Sequence, residues 1–206
     1  MKNISIIPAQ KEGSQVTFSK VLTSDSDTAS RELFIKIKNR LLDINEWHEW
    51  GVSSYFCLYN KGLKKGLPEI GDYIRIGLPA PGTVEGDGFD WVRIEALEDL
   101  SEERWEYIGL RVRPSKNPHC DSPEIAHFYK DTATSTFIIE RSGTNITASY
   151  YGKNEAPNIK GVSRISDKLR NFVVAAGGLL GFSKIHWKKF IENIVDENYV
   201  SDPMHD

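Results

Sequence analysis

The sequence predicts an α+β fold: one antiparallel sheet of about six or seven strands, with helices after the first strand and again at the C-terminal end, in the order β-α-α-β6-α. Three observations predict it. Apolar residues recur every three or four positions from Leu33 to Leu42, the period shortens to two from Ser53 to Lys153, and a helical spacing returns from Ile165 to Val195. Strands joined by short links pair antiparallel, because a parallel pair needs a crossover of about a dozen residues or more.

Each element follows from its residues. Gln15 to Thr23 alternates at Val16 and Phe18 and reads as a strand, and Ser24, Asp25, Ser26, Asp27 and Thr28 offer N-cap oxygens for the helix that follows. In that helix Leu33, Phe34, Ile37, Leu41 and Leu42 share one face, while Arg31, Lys36, Lys38 and Arg40 face outward. Asp43 to Gly51 reads as a short helix or turn ended by Gly51, with Trp47 and Trp50 sharing its buried side. Strands are expected near 53–60, 71–78, 90–98, 104–113, 134–141 and 144–152, separated by turn residues such as Gly71-Asp72 and Ser142-Gly143. Two long links, Pro79 to Gly88 and Pro114 to Thr132, stand out, the second with an expected helical turn at Glu124 to Tyr129. Near the C-terminus one apolar stripe runs from Ile165 to Leu180 and another through Trp187, Phe190, Ile191, Ile194 and Val195, with Gly177, Gly178 and Gly181 between them.

At 206 residues the chain is expected to form one domain with a core over about 15–196 and flexible ends at 1–13 and 198–206. No stretch approaches the 18 or so apolar residues of a membrane span. The apolar run Ile4 to Pro8 is too short for a signal peptide, and Cys57 and Cys120 suggest free thiols, so the expected compartment is the cytoplasm. A net charge of −3 with no Lys/Arg block gives no footprint for nucleic acid. The expected partners are a hydrophobic small molecule, a protein, or a second copy of the chain, with no cofactor and no metal.

The stretch Leu41-Leu42-Asp43-Ile44-Asn45-Glu46-Trp47-His48-Glu49-Trp50, set within this element order, resembles the helix-to-turn segment of the START, birch-pollen-allergen and polyketide-cyclase superfamily. The resemblance implies a helix-grip fold, in which a curved sheet grips the last helix around an apolar cavity. It also implies that Phe34, Ile37, Trp47, His48, Trp50, Phe137, Ile139, Phe172, Val173 and Ala176 line that cavity. In such proteins the last helix is usually continuous, whereas here Gly177-Gly178 interrupts it. The run Arg111-Val112-Arg113-Pro114-Ser115-Lys116-Asn117-Pro118 is similar to part of a bacterial family of unknown function.

Other residues offer chemistry in principle. Arg75, Trp91, Arg93, Trp105, Tyr107, Arg111 and Arg113 alternate with the aliphatic positions Ile74, Ile76, Val92, Ile94, Ile108, Leu110 and Val112, so one sheet face should be aliphatic and the other rich in guanidinium and aromatic groups. That second face suits an anionic or planar ligand or a protein partner, and equally an ordinary solvated surface. His119, Cys120, Asp121, Glu124 and His127 include metal-ligand types at a spacing that matches no recognised site. Gly82, Gly86 and Gly88 lack the following helix that a phosphate loop needs, and Asp87 with Asp90 lacks the EF-hand spacing. For an enzyme of the cyclase or hydrolase type, His48, Glu95, Tyr150 and Tyr151 are the candidate polar groups.

Overall fold

A computed structural model describes residues 6–78, 83–158 and 179–199. Its strands are β1 (Ser14–Thr23), β2 (Tyr55–Tyr59), β3 (Tyr73–Gly77), β4 (Asp90–Glu102), β5 (Trp105–Pro114), β6 (Thr134–Ser142) and β7 (Asn145–Glu155). Helix α1 (Asp27–Leu42) and a 3-10 helix (Ile44–Trp50) separate β1 from β2, and α2 (Leu179–Ile194) follows the sheet. The strands lie in the order β1-β7-β6-β5-β4-β3-β2, every neighbouring pair antiparallel. Register slips between Ile94 and Ala96 and between Ser14 and Val16. Extra residues of this kind bend a strand. The result is the expected helix-grip arrangement, an α+β fold whose curved sheet holds the C-terminal helix.

Helix α1 begins where its cap is. Ser26 is extended and its Oγ accepts from the Ala29 N–H at 3.1 Å, and the buried face carries Leu33, Phe34, Ile37, Leu41 and Leu42 as its spacing requires. The 3-10 helix ends at Gly51, whose φ of 75° is the left-handed conformation that favours glycine. Trp47 is buried there and donates from Nε1 to the Leu41 carbonyl at 3.0 Å, which fixes its ring over the sheet. Phe190, Ile191 and Ile194 on α2, with Val195 just past its end, are buried in the same core as the aliphatic face of β3, β4 and β5. Each such side chain stabilises the fold by about 1.5–3 kcal/mol. Arg40 joins the two helices by donating from Nη1 to the Ile194 carbonyl at 2.7 Å, its guanidinium 4.2 Å from the Trp50 ring.

Edge strand β2 does not present its whole backbone. The Leu58 N–H donates to Asn45 Oδ1 at 2.9 Å, and the Leu58 carbonyl accepts from the Lys64 N–H at 2.7 Å.

Several expectations are corrected. The N-terminal segment is anchored from Ile6 onward: Ile6 is 1% exposed against Tyr107 and Ile138, its carbonyl accepts from Arg111 Nη1 at 2.8 Å, and Asn154 holds Lys11 and Ala9. No helical turn forms at Glu124 to Tyr129, because Ala126 is tied in strand fashion, its N–H to the Ser115 carbonyl and its carbonyl to the Trp91 N–H. Strand β4 runs four residues past its expected end at 98, to Glu102, where it turns directly into β5. The stripe from Ile165 through Gly178 lies outside the described residues.

Candidate functional site

A narrow slot lies between the concave sheet face and α2. One wall is aromatic: Trp47 from the 3-10 helix, Phe56 from β2, Phe137 from β6 and Trp187 from α2. The Trp187 ring stands 5.9 Å from Trp47 and 4.8 Å from Phe137, edge to face in both cases. The other wall is the aliphatic row Ile74, Ile76, Val92 and Val112. These four alternate with outward residues on three adjacent strands, which brings them to one face. The slot offers about 50 Å³ to the centres of water-sized atoms. One water centre needs on the order of 10–15 Å³, so the free space is that of about three to five waters.

Four polar side chains interrupt the apolar lining: Ser54, His127, Ser135 and His186. Ser135 Oγ and Tyr150 Oη share a hydrogen bond at 3.0 Å. The Ser54 hydroxyl, on a residue 1% exposed, finds no hydrogen-bond partner among the described residues. Burial pushes the His186 imidazole down to about 4, with Lys189 adding to the effect, and pushes His127 down to about 3. Both rings are therefore neutral at pH 7. His127 Nδ1 accepts from the Tyr129 N–H at 2.9 Å, so the ring proton sits on Nε2, 4.0 Å from Asp90 Oδ2. Asp90 is 1% exposed, and burial pushes its carboxyl up to about 7. The backbone N–H groups of Phe128 and Thr83 pull it part of the way back, although neither meets hydrogen-bond geometry.

A smaller pocket of about 20 Å³ adjoins the slot and shares Val92, Val112, His127, Tyr129 and Ser135 with it. It adds Thr134, whose hydroxyl has no partner among the described residues, and Glu155, whose carboxyl is pushed up by burial and drawn back by Ser14 and Lys184.

Of the residues expected to line the cavity, Trp47 and Phe137 do so. Phe34 and Ile37 on α1 and Ile139 on β6 are buried core outside the lining. His48 and Trp50 stay outside the lining, Trp50 packed against the edge of the main core. The Nε2 of His48 is 3.0 Å from Glu49 Oε1, and Arg40 covers Trp50. Phe172, Val173 and Ala176 lie outside the described residues. The slot's remaining polar groups carry no sequence signal, since nothing in a pattern marks a Ser or His that turns inward.

The guanidinium and aromatic face is not the open patch that alternation suggests. Trp91 and Tyr107 are 3% and 1% exposed. Trp91 is covered by the turn at Gly86 and by His119, its ring 5.7 Å away, and Tyr107 by Ile6 and Trp105. Trp105 donates from Nε1 to Glu140 Oε1 at 3.0 Å. Arg75 lies over Phe89 at 4.4 Å, Arg93 stays exposed, and Arg111 and Arg113 both pair with Glu95. Glu95 thus faces away from the slot, and Tyr151 packs beside Ile6.

The residues from His119 to His127 do not gather around a common point. His119 packs on Tyr59 and Trp91, Cys120 is exposed, and His127 points inward rather than into solvent. Among the described residues the group that does approach metal-ligand proximity is Glu46, His48 and Glu49, on the 3-10 helix. Asp87 accepts from Asn117 Nδ2 at 3.2 Å while Asp90 is turned inward, and Gly86 is packed on Thr83, Ala126 and Trp91, which leaves no cradle for a phosphate there. Gly82 lies outside the described residues. No helix among the described residues is long and apolar enough to cross a membrane.

No protein-family model matches the chain, and no curated protein matches its sequence. Among solved structures, a hypothetical protein from Helicobacter pylori (jhp0584) is similar at a TM-score of 0.51 and 9% identity, over 94% of this chain and 98% of that one. Protein Ms6760 from Mycobacterium smegmatis follows at 0.36 and 15%, over 93% of each chain. Ara h 8.0201 stands at 0.32 and 14%, over 85% of this chain and 98% of that one. At such identities a likeness speaks to fold alone, and of these three the Helicobacter pylori protein is similar enough to do so. The slot, then, belongs to a helix-grip fold that a second chain shares over nearly its whole length.

Proposed function

We infer that the protein is a module that binds an apolar small molecule, without catalysis, in the slot between sheet and C-terminal helix. One observation carries the reading. Aromatic rings from the 3-10 helix, β2, β6 and α2 converge on an aliphatic strand row and still leave free space between them. Close-packed interiors rarely keep such a gap between large rings, and concave apolar sites with a few polar groups are what small molecules occupy.

Fluorobenzene, followed by ¹⁹F NMR, is the direct probe. It should bind the parent protein, and Val112→Phe, which pushes a ring into the slot from β5, should weaken it at least about tenfold. Ile76→Phe does the same from β3, and far-UV circular dichroism confirms that either variant is folded. No binding to the parent, or undiminished binding to both variants, sinks the reading.

A second reading, an enzyme of the cyclase or hydrolase type in the same slot, draws on the neutral His186 imidazole at its wall. Mass spectrometry of a molecule extracted from the protein after incubation with host extract separates the two. Binding predicts that it returns unchanged, and catalysis that it returns altered unless His186 is replaced by Phe.

A further inference from the structure

Glu46, His48 and Glu49 stand on one turn of the 3-10 helix, and one ligating atom from each lies within 4.8 Å of the other two. Residues three apart eclipse on such a helix, which brings the two glutamates to one side. His48 Nε2 is 3.0 Å from Glu49 Oε1 and 4.0 Å from Glu46 Oε2. The turn itself is held in place. Trp47, between them in sequence, is buried and bonded to the Leu41 carbonyl, and Gly51 ends the helix.

The other ring nitrogen decides what Nε2 can do. His48 Nδ1 lies 3.0 Å from the Asn45 carbonyl oxygen. A carbonyl only accepts, so the ring proton sits on Nδ1 and the neutral imidazole turns its Nε2 lone pair toward the carboxylates. Histidines that bind metals are set in this way, a backbone carbonyl on the far N–H fixing tautomer and ring orientation. Three electron-pair donors are thus brought together, and only a cation can hold them there. A proton on Nε2 would serve Glu49, at hydrogen-bond distance, and leave Glu46 out of reach. Glu46 has no other ion-pair partner among the described residues. A metal ion takes all three. Bonds of about 2.1 Å to a tetrahedral ion put its ligand atoms about 3.4 Å apart, a spacing between the two separations from Nε2.

We propose that Glu46, His48 and Glu49 bind a divalent transition ion of the zinc class. The two carboxylates balance its charge, and the partial exposure of both glutamates leaves solvent to complete the coordination. Imidazole suits zinc and its neighbours, whereas magnesium and calcium take oxygen ligands, which sets the class. The site does not depend on what the slot binds. The same turn carries Trp47 into the slot wall, so the ion braces that wall from outside.

Isothermal titration of the full chain with zinc chloride at pH 7 tests it. A single ion should bind per chain, and the melting temperature should rise with zinc, as it does for any ligand of the folded state. A large excess of Mg²⁺ should not displace the ion. Losing a supporting partner already weakens a metal site by about 10–100-fold, so removing a direct ligand in His48→Ala or Glu46→Gln should cost at least about tenfold and most of the thermal shift. Far-UV circular dichroism without zinc confirms that each variant is folded. Cys120→Ser removes the exposed thiol and should bind as the parent does. Absence of stoichiometric binding, displacement by Mg²⁺, loss of binding in Cys120→Ser, or binding that His48→Ala leaves unchanged overturns the site. Binding that needs His48 and ignores Glu46→Gln overturns it as well, since a pair of His48 and Glu49 alone behaves in that way.

Discussion

Arg141 and Glu106 face each other on β6 and β5, and the Arg141 Nε donates to Glu106 Oε2 at 2.6 Å with the guanidinium fully buried. The remaining guanidinium hydrogens reach Asp27 Oδ1 at 3.0 Å and the carbonyls of Gly143 and Glu103. The first turn of α1, the β6–β7 turn and the β4–β5 turn therefore meet at one buried cation. Burying such a charge is tolerable only while every partner is present.

Arg141→Met leaves the buried Glu106 with the exposed Arg31, 3.5 Å away, as its one remaining cation among the described residues, and should lower the free energy of unfolding by about 3 kcal/mol. Urea midpoints measure it. Adding Glu106→Gln to the same chain should recover part of the loss, since the poorly compensated buried charge is then gone. A loss under about 1 kcal/mol for the single variant would show the cluster to be dispensable.

Asp90 makes stability fall with rising pH. Its carboxyl stands at about 7 in the fold against about 4 in an unfolded chain. Between those values the fold keeps a proton that the unfolded chain has lost, so the contribution is complete below about pH 4 and is lost as pH rises through 7. Asp90→Asn cannot titrate there. Relative to the parent, this variant should gain stability between pH 4.5 and pH 8, by at most about 4 kcal/mol. A difference that stays flat with pH contradicts a buried, raised carboxyl.

The two slot histidines act with the opposite sign. His186 and His127 stand at about 4 and about 3, below the usual value near 6.5, so the unfolded chain takes up protons first. Their stabilisation is complete above about pH 6.5 and is lost as pH falls toward 4 and then 3. His186→Phe keeps an aromatic ring beside Trp187 and removes one of the two groups. Its melting temperature should decline less between pH 6.5 and 4.5 than the parent's. An unchanged slope means that His186 is already charged in the fold.

Gly13 sits at φ +62°, and a Cβ there would come 2.6 Å from the Glu155 carbonyl carbon and 2.8 Å from the Ala156 nitrogen. Backbone atoms cannot rotate aside. Gly13→Ala should lower stability by about 2–4 kcal/mol through conformation and contact together. Gly66, at φ +109° with nothing within 4 Å of its added Cβ, isolates the conformational part, and Gly66→Ala should lose less. Equal losses would place the whole effect in the backbone angle.

Much of the fold was legible because it is written in period. The α1 face from Leu33 to Leu42 and the alternation on β3, β4 and β5 each have one spacing and one buried side. The slot was half legible for the same reason. Trp47 and Phe137 stood out by size, and Ile74, Ile76, Val92 and Val112 by alternation. Alternation assigns a face, not a position along it. Phe137 and Ile139 point the same way from β6, yet Phe137 meets the slot and Ile139 meets packed core. The outer face misled for a related reason. Tyr107 alternates like a solvated residue and is covered by Ile6, about a hundred positions away in sequence. His127 read as one more polar residue of a long loop beside His119 and Cys120, while the strand-like ties of Ala126 turn it inward.

Asn45 has a consequence beyond the molecule itself. A bare edge strand is a template on which another chain's strand can add. At β2 the Asn45 Oδ1 and the Lys64 N–H already occupy the hydrogen-bonding positions of Leu58, the fourth residue of a strand of five. A foreign strand arriving there meets interrupted pairing, and the short strand leaves no second stretch on which to nucleate. Self-assembly under stress is thus steered away from this side of the sheet, and Asn45→Ala is the change that would reopen it.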